Sequence, residues 1–169
     1  MRRRTKAREY AVQFLYHLDL RGPDALEEMT RFLDAAEAEA EMGEDEGAQP
    51  ARRGLRRDRE LREFALRLIQ GTHAHRAEVD KILAAVTRNW DLHRMAAIDR
   101  NILRMAIYEL MYCPDIPPKV TINEAIELGK RFSTANSGSF INGILDRVRI
   151  DIEKGVLAAP ARRPLEQGS

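Results

Sequence analysis

The chain has 169 residues, of which 44% are hydrophobic and 33% are charged, and its formal net charge at pH 7 is +1. A chain of this length forms one ordinary domain or two small halves around one core, and the charged fraction argues against a membrane protein. No apolar run approaches the roughly 20 residues of a membrane-spanning helix, and no apolar signal segment follows the basic start, so we expect a cytoplasmic protein. The single cysteine, Cys113, excludes an internal disulfide and a cysteine-based zinc site.

The chain begins with a cluster of basic residues that continues directly into an apolar helical pattern. The basic residues are Arg2, Arg3, Arg4, Lys6 and Arg8. The apolar positions recur every three or four residues, at Ala7, Ala11, Phe14, Leu15 and Leu18. Because a helix fixes the spacing of the charges, they could follow RNA phosphates and set the register of binding. Basic residues at a chain start also serve solubility alone, and these residues by themselves leave both interpretations open.

A turn and a strongly charged segment follow the first helix. Gly22 and Pro23 end that helix, and a second helix is predicted from Asp24. In the segment from about 36 to 57, acidic residues come first and arginines follow, with glycines and a proline among them. Neighbouring blocks of opposite charge are typical of a flexible, self-neutralising loop, and we favour this interpretation over a second RNA-binding patch.

Apolar spacing predicts a long helix from Asp58 to Val86, or two helices in line with a kink near Gly71. The two histidines of this segment are two positions apart and point in different directions on a helix, which argues against a shared metal ion. Residues 98–112 form the most apolar predicted helix, with one polar stripe. The stripe consists of Arg100, Asn101, Arg104 and Tyr108, and it is interpreted either as a solvated edge or as a partner-binding edge.

Two further helices are predicted after the proline-rich connector at 113–119. Thr121 and Glu124 match a capping box at the start of the first, and Ser139 is placed to cap the second. Phe140 lies on the flank of the last helix, where it either stacks on an unpaired base or packs at the edge of the core. Together the patterns predict an all-α bundle of about seven helices in two packed sub-bundles, with a disordered tail at 156–169.

The sequence lacks the motifs of common catalytic and nucleotide-binding sites. It contains no GxGxxG, GxxxxGK[ST], GxSxG or HExxH. The lone Cys113 precedes a proline, and no histidine is suggested near it, so a packed or half-exposed thiol is favoured over a nucleophile. The sequence therefore predicts a binding module without catalytic activity, cofactor or metal.

Four stretches, in chain order, resemble one known family. They are RRRTKAREYAVQFLY (2–16), IDRNILRMAIYELMY (98–112), VTINEAIELGKRFS (120–133) and SFINGILDRV (139–148), and they resemble the NusB family of transcription antitermination factors. The resemblance covers nearly the whole chain, and the last two stretches are its most specific part. Residues 34–58 depart from the family by being longer and more charged, and no role is assigned to them.

The resemblance implies an all-helical protein of two sub-bundles without catalytic activity. Such proteins bind the boxA element of nascent ribosomal RNA together with the ribosomal protein NusE, and they help RNA polymerase to read through terminators as part of an antitermination complex. Matching positions imply RNA contacts at Arg3, Arg4, Lys6, Arg8, Asn136 and Phe140. They imply partner contacts at Tyr16, Asp99 and Arg104. The family often has an acidic residue where Asn136 stands, and its absence should reduce repulsion of phosphate.

Two alternative functions follow from the same residues. The N-terminal domain of some ribosomal RNA cytosine methyltransferases resembles this family, but those enzymes need a further Rossmann-like domain with a catalytic cysteine, which these 169 residues do not contain. A purely protein-binding adaptor would keep the Tyr16 and Asp99 surface and make no use of the basic cluster. We expect one NusB-like RNA-binding domain over residues 1–155, and the resemblance also allows a homodimer.

Overall fold

A computed structural model describes residues 3–43, 50–88 and 92–157. Within these ranges the chain forms seven α-helices and two short 3-10 helices, and no strand. The α-helices are α1 (Arg3–Arg21), α2 (Met29–Gly43), α3 (Pro50–Ala74), α4 (Arg76–Val86), α5 (Ala97–Tyr112), α6 (Pro118–Phe132) and α7 (Ser137–Glu153). The prediction of an all-α fold with about seven helices is confirmed.

The chain divides into two compact units, Met1–Gln70 and Gly71–Ser169. The boundary lies within α3, close to its end at Ala74. Two units agree with the two sub-bundles that the sequence predicts. The predicted tail lies mostly outside the described residues, since α7 ends at Glu153 and the description ends at residue 157.

In the first unit, α1 supplies the predicted apolar face. All five predicted positions are buried, and the Phe14 ring lies 5.3 Å from the Phe32 ring of α2. The Tyr10 hydroxyl donates a hydrogen bond to the backbone carbonyl of Ala36 at 3.4 Å. On the surface, Arg62 of α3 donates to Asp34 of α2 at 2.6 Å. The first unit therefore combines an apolar seam between α1 and α2 with polar ties at its edges.

In the second unit, α5 is the central helix, because every residue from Asp99 to Met111 is buried. The polar stripe that the sequence assigns to an outward edge lies inside as well, and the two interpretations that required an exposed edge are wrong. Burial is tolerated because the polar atoms find partners. The Asn101 side chain donates to the carbonyl of Ala97 at 2.7 Å, and Arg100 donates to the carbonyl of Leu92 at 2.9 Å.

The charged segment predicted as a loop over 36–57 is helical at both of its ends. Residues 36–43 continue α2, and residues 50–57 begin α3. Only the part between Gly43 and Pro50 lies outside the described residues. Glutamate, alanine and arginine are good helix formers, and a proline suits the first position of a helix, so local propensity outweighs the loop signals of charge and glycine content. The loop prediction is therefore wrong for both ends.

One predicted helix start and one predicted kink also differ from the structure. Residues Pro23–Glu28 form a 3-10 helix, and α2 begins only at Met29. The break in the long helix falls at His75, whereas Gly71 stays helical. A Cβ atom at Gly71 would lie 2.0 Å from Cζ of Tyr108, so the glycine is needed for close approach of that ring and not for a bend.

Neither predicted cap at the two last helices is formed. Helix α6 already begins at Pro118, and Thr121 is a buried residue inside it, where its hydroxyl donates to Glu109 Oε1 of α5 at 3.2 Å. Helix α7 begins at Ser137, with Asn136 at the N-cap position, so Ser139 lies inside that helix. In the first case the cause is Pro118, whose fixed φ starts the helix earlier than the capping-box motif indicates.

Candidate nucleic-acid and partner interfaces

Four members of the basic cluster, from Arg3 to Arg8, belong to the first turns of α1, which begins at Arg3, and Arg2 lies outside the described residues. Arg3 and Arg4 are exposed. Arg3 Nη1 forms an ion pair with Glu60 Oε2 of α3 at 2.5 Å. The first turn of α1 contains no acidic residue, although a helix N-terminus favours negative charge. Two exposed arginines are thus fixed at the positive end of a preformed helix.

Arg8 differs from the other members of the cluster, because its side chain is buried and only 1% exposed. Its Cζ lies 5.2 Å from the centroid of the Phe64 ring, and Cζ of Arg4 lies 4.5 Å from the same centroid. In this arrangement Arg8 does not present its guanidinium to a ligand. It supports the aromatic ring on which Arg4 rests.

Lys6 lies between these two extremes. Its side chain is about one third exposed, and its Nζ is 3.4 Å from Glu9 Oε2 and 5.2 Å from the centroid of the Tyr10 ring. Since the ammonium group keeps access to solvent, it can also reach a phosphate. Of the cluster's described members, Arg3, Arg4 and Lys6 are therefore accessible to a ligand, and Lys6 is less exposed than Arg3.

An exposed apolar patch lies further along α1. Tyr16 is 39% exposed, as its position on the helix flank predicts, and Leu20 is 61% exposed one turn later on the same face. Sequence reasoning missed Leu20, although its spacing of four residues from Tyr16 is the signal that would have found it. Beside this patch His17 pairs with Glu28 at 2.7 Å, and this hydrogen bond lowers the pKa of the Glu28 carboxyl group.

Asp99, a predicted partner contact, is an internal group of the second unit. It lies in the first turn of α5 and is 8% exposed. Its Oδ2 accepts a hydrogen bond from Ser137 Oγ of α7 at 3.2 Å, whereas no described residue donates to its buried Oδ1. Ser137 Oγ also lies 2.9 Å from Ser133 Oγ and accepts from the backbone N–H of Thr134 at 3.3 Å. Asp99 therefore anchors the junction between α6 and α7.

Arg104, the other predicted partner contact on α5, is 5% exposed. Its Nε donates to Asp80 Oδ1 of α4 at 2.7 Å, and its Nη2 donates to Asp80 Oδ2 at 3.1 Å. Two parallel hydrogen bonds of this kind form the most favourable geometry between arginine and a carboxylate. The pair connects α4 to α5, and neither Arg104 nor Asp99 offers its charge to a partner in this conformation.

The second group of predicted RNA contacts lies at the start of α7. Asn136 is exposed at the N-cap position, and its side chain makes no capping hydrogen bond. Phe140 is half-buried one turn later, and an added Cβ at neighbouring Gly143 would meet nothing within 4 Å. This surface combines an amide, a partly accessible ring and open space beside a helix N-terminus, which suits contact with a nucleotide.

A stacked aromatic cluster, which the sequence did not predict, joins α4 to the end of α5. The His75 ring lies 3.9 Å from the Tyr112 ring and 5.9 Å from the Tyr108 ring, centroid to centroid. The Tyr112 hydroxyl donates a hydrogen bond to the carboxylate of Glu78. Burial, this hydrogen bond and the negative charge of Glu78 raise the pKa of Tyr112 to about 12. The cluster therefore fixes the end of α5 at Tyr112 through contacts with His75 and Glu78 of the same unit.

Among the residues that the structure describes, no three histidine, cysteine, aspartate or glutamate side chains lie together in a way that could hold a metal ion. No helix in the same ranges is both long and apolar enough to cross a bilayer.

The NusB family model matches residues 5–149. A transcription antitermination protein NusB from Myxococcus xanthus is 40% identical over 151 residues, which are 89% of this chain and 97% of that protein. The chain belongs to the NusB family. The expectation that it is not an enzyme agrees with this membership, because relatives of this similarity are named as antitermination proteins.

Solved structures of NusB proteins share the fold. The NusB protein of T. maritima has a TM-score of 0.64 at 32% identity, over 93% of this chain and 99% of that one. A structure of the antitermination factors NusB and NusE in complex with dsRNA contains a chain with a TM-score of 0.68 at 24% identity, over 89% of this chain and 98% of that one. These matches confirm the NusB-like helical architecture.

Proposed function

We propose that this chain is a cytoplasmic transcription antitermination factor. It binds the boxA element of nascent ribosomal RNA together with the ribosomal protein NusE, and so promotes read-through by the RNA polymerase complex. The observation that carries the proposal is the pair of exposed arginines, Arg3 and Arg4, on the first turn of α1. Cations at a helix N-terminus are unfavourable for the helix, typically by about 0.3–1 kcal/mol each, whereas a bound phosphate at the same place is favourable.

The RNA surface of the first unit consists of Arg3, Arg4 and Lys6. Their side chains reach solvent at fixed spacings, so they can neutralise successive phosphates. Arg8 contributes indirectly, through the ring of Phe64. In the second unit Asn136 and Phe140 form a further RNA contact at the start of α7, where an aromatic edge and an amide can meet an unpaired base.

The surface for NusE is the apolar patch of Tyr16 and Leu20 on α1. A large aromatic side chain with an exposed aliphatic neighbour is typical of an interface centre. The antitermination factor NusB in a solved complex occurs together with NusE and dsRNA, which supports the choice of this partner. Asp99 and Arg104 act on this function from inside the second unit, by holding α5 against α4 and α7.

The proposal is tested with two variants that each remove one surface. In the first, Arg3, Arg4 and Lys6 are all replaced by alanine; in the second, Tyr16→Asp places a charge in the apolar patch. Calorimetric titration measures binding of boxA RNA and of NusE separately. We expect the triple variant to bind NusE normally and to bind boxA more weakly, with the log–log salt slope reduced by roughly 0.7 per lost phosphate contact.

The Tyr16→Asp variant should show the opposite behaviour. It should lose NusE, because an unpaired charge is costly to desolvate at an interface, and it should keep the weak binding of boxA by the isolated chain. The circular dichroism spectra of both variants serve as the folding control. Loss of both ligands to the same degree by two folded variants would contradict separate surfaces, and an unchanged salt slope in the triple variant would contradict the RNA surface.

A further inference from the structure

A groove with a volume of about 310 Å³ lies in the first unit between the start of α1 and α3. Its walls include Arg3 and Arg4 from α1, and Glu60, Phe64 and Arg67 from α3. The three residues of α3 are spaced at i, i+4 and i+7, which places them on one face of the helix. The volume corresponds to the small end of ligand pockets in proteins, so the groove suits one nucleotide and not a larger folded element.

Arg4 forms a stacking surface in this groove. Its guanidinium carbon lies 4.5 Å from the centroid of the buried Phe64 ring, and Arg8 contacts the same ring with its own guanidinium carbon at 5.2 Å. The Arg4 guanidinium thus lies over an aromatic ring while the residue is exposed to solvent, so we expect it to offer a face to a second flat group. Unpaired RNA bases stack on guanidinium planes in the same way as on aromatic rings.

A carboxylate in the groove, that of Glu60, forms an ion pair with one of its arginines, Arg3. Glu60 Oε2 lies 2.5 Å from Arg3 Nη1, and both side chains are about half exposed. A carboxylate in this position makes the contact that a phosphate oxygen would make. Since the pair is exposed, its net stabilisation is small, and a phosphate that is also attracted by Arg67 can displace the carboxylate.

We propose that this groove binds one unpaired nucleotide of the RNA, with the base on Arg4 and the phosphate between Arg3 and Arg67, and that Glu60 competes with the phosphate for Arg3. The inference rests on the proposed RNA-binding function and adds two residues to it. Arg67 is a phosphate contact outside the basic cluster. Glu60 limits affinity, so that only RNA that also fills the groove displaces it.

The test uses the full chain and a short single-stranded RNA that contains a boxA element, with affinity measured at several salt concentrations. Glu60→Gln should bind this RNA about two- to fivefold more tightly at low salt, because removing an exposed ion pair frees Arg3, and the gain should shrink as salt screens the pair. Glu127→Gln is the control, since Glu127 is another exposed glutamate, on α6, that pairs with Lys130. It should leave the affinity unchanged.

Two arginine variants examine the groove from the other side. Arg67→Gln should weaken binding severalfold and reduce the salt slope by roughly 0.7, whereas Arg31→Gln, an exposed arginine of α2, should do neither. Arg4→Lys keeps the charge and loses the planar face. It should preserve the salt slope and weaken binding severalfold, because the base loses its stacking surface.

The outcomes separate this inference from the proposed function. If wild-type chain binds the RNA and depends on Arg3 and Arg4, but the Glu60 and Arg67 variants behave like their controls, the groove is not a nucleotide site. If wild-type chain does not bind the RNA at all, the proposed function itself fails. A folding defect cannot imitate the expected result, because Glu60→Gln is expected to gain affinity.

Discussion

Helices α1 and α5 both carry arginines next to apolar residues, but the arginine side chains have opposite environments in the two helices. At the start of α1, Arg3 and Arg4 are exposed at a helix end. On α5, Arg104 is enclosed by its own unit and forms two hydrogen bonds with Asp80. The arginines at the start of α1 can bind an anion from outside the protein, whereas Arg104 is already paired with the carboxylate of Asp80.

The difference arises from what surrounds each helix. Helix α5 is covered by α4, α6 and α7, and each of them supplies a polar partner: Asp80, Thr121 and Ser137, respectively. A buried charge without such a partner would cost several kcal/mol, so the partners determine whether a polar residue can lie inside. In the first turn of α1, Arg3 pairs with Glu60 of α3, and both side chains of that pair are exposed to solvent. A charge of this kind remains available for exchange with a ligand.

The largest effect is expected from Arg104→Ala, which removes one of the two buried arginines of α5. The carboxylate of Asp80 would lose its two principal hydrogen bonds while about one quarter exposed. Removing one partner of a buried ion pair destabilises a protein by roughly 3–5 kcal/mol. Because water has partial access to Asp80, we expect a value near the low end of that range, about 3 kcal/mol. Urea denaturation of wild type and variant measures the difference in the free energy of unfolding.

Arg3→Ala is the matched control on α1, because its ion pair with Glu60 is exposed. We expect it to change the free energy of unfolding by less than about 1 kcal/mol. Equal destabilisation by Arg104→Ala and Arg3→Ala would show that the internal and external roles are wrongly assigned.

A smaller effect is expected from Arg8→Ala. This variant tests whether the buried Arg8 has an internal structural role, like Arg104, or contacts a ligand, like Arg3. Loss of the packed side chain and of its contact with Phe64 should destabilise the first unit by about 1–2 kcal/mol. RNA affinity should fall without a change in the salt slope, since no phosphate contact is removed. A salt slope reduced as much as in Arg3→Ala would show that Arg8 leaves Phe64 and contacts RNA directly.

The sequence predicted the elements of this fold better than the environment of single residues. Helical periodicity is local, and it correctly indicated the apolar face of α1 and the exposed flank at Tyr16. The burial of Arg104 depends on Asp80, which is 24 residues away, and that of Asp99 depends on Ser137, which is 38 residues away. No spacing rule within one helix contains this information, so a polar stripe on α5 looked the same as a solvated edge.

The candidate site was predictable to a similar extent. The basic cluster was visible as a run of charge joined to a helix, and among its described members Arg3 and Arg4 are exposed. The division between these two and Arg8 required the position of Phe64 on α3, more than fifty residues further along the chain. The groove that Arg67 and Glu60 share with α1 was hidden for the same reason.

The smallest effect, confined to alkaline pH, is expected at Tyr112, where α5 ends. Like the guanidinium groups of Arg3 and Arg4, the Tyr112 hydroxyl is a polar group at a helix end. It differs from them because it donates a hydrogen bond to Glu78 of its own unit. Its pKa of about 12 in the folded chain lies above the ordinary value of about 10 that applies when the chain is unfolded. Below the ordinary value both states carry the proton, so the contribution of this group to the free energy of unfolding is fully present and does not change with pH near neutrality.

Between about pH 10 and pH 12 the unfolded chain releases the tyrosine proton first, and the free energy of unfolding must therefore fall across this interval. Tyr112→Phe should remove part of that fall, because the remaining alkaline loss comes from other groups. Denaturant unfolding of both proteins at neutral pH and across the interval measures the difference. If the free energies of unfolding of the two proteins fell in parallel with pH, Tyr112 would not be held by contacts within its unit. The end of α5 would then resemble the start of α1, with a polar group that is accessible to a ligand.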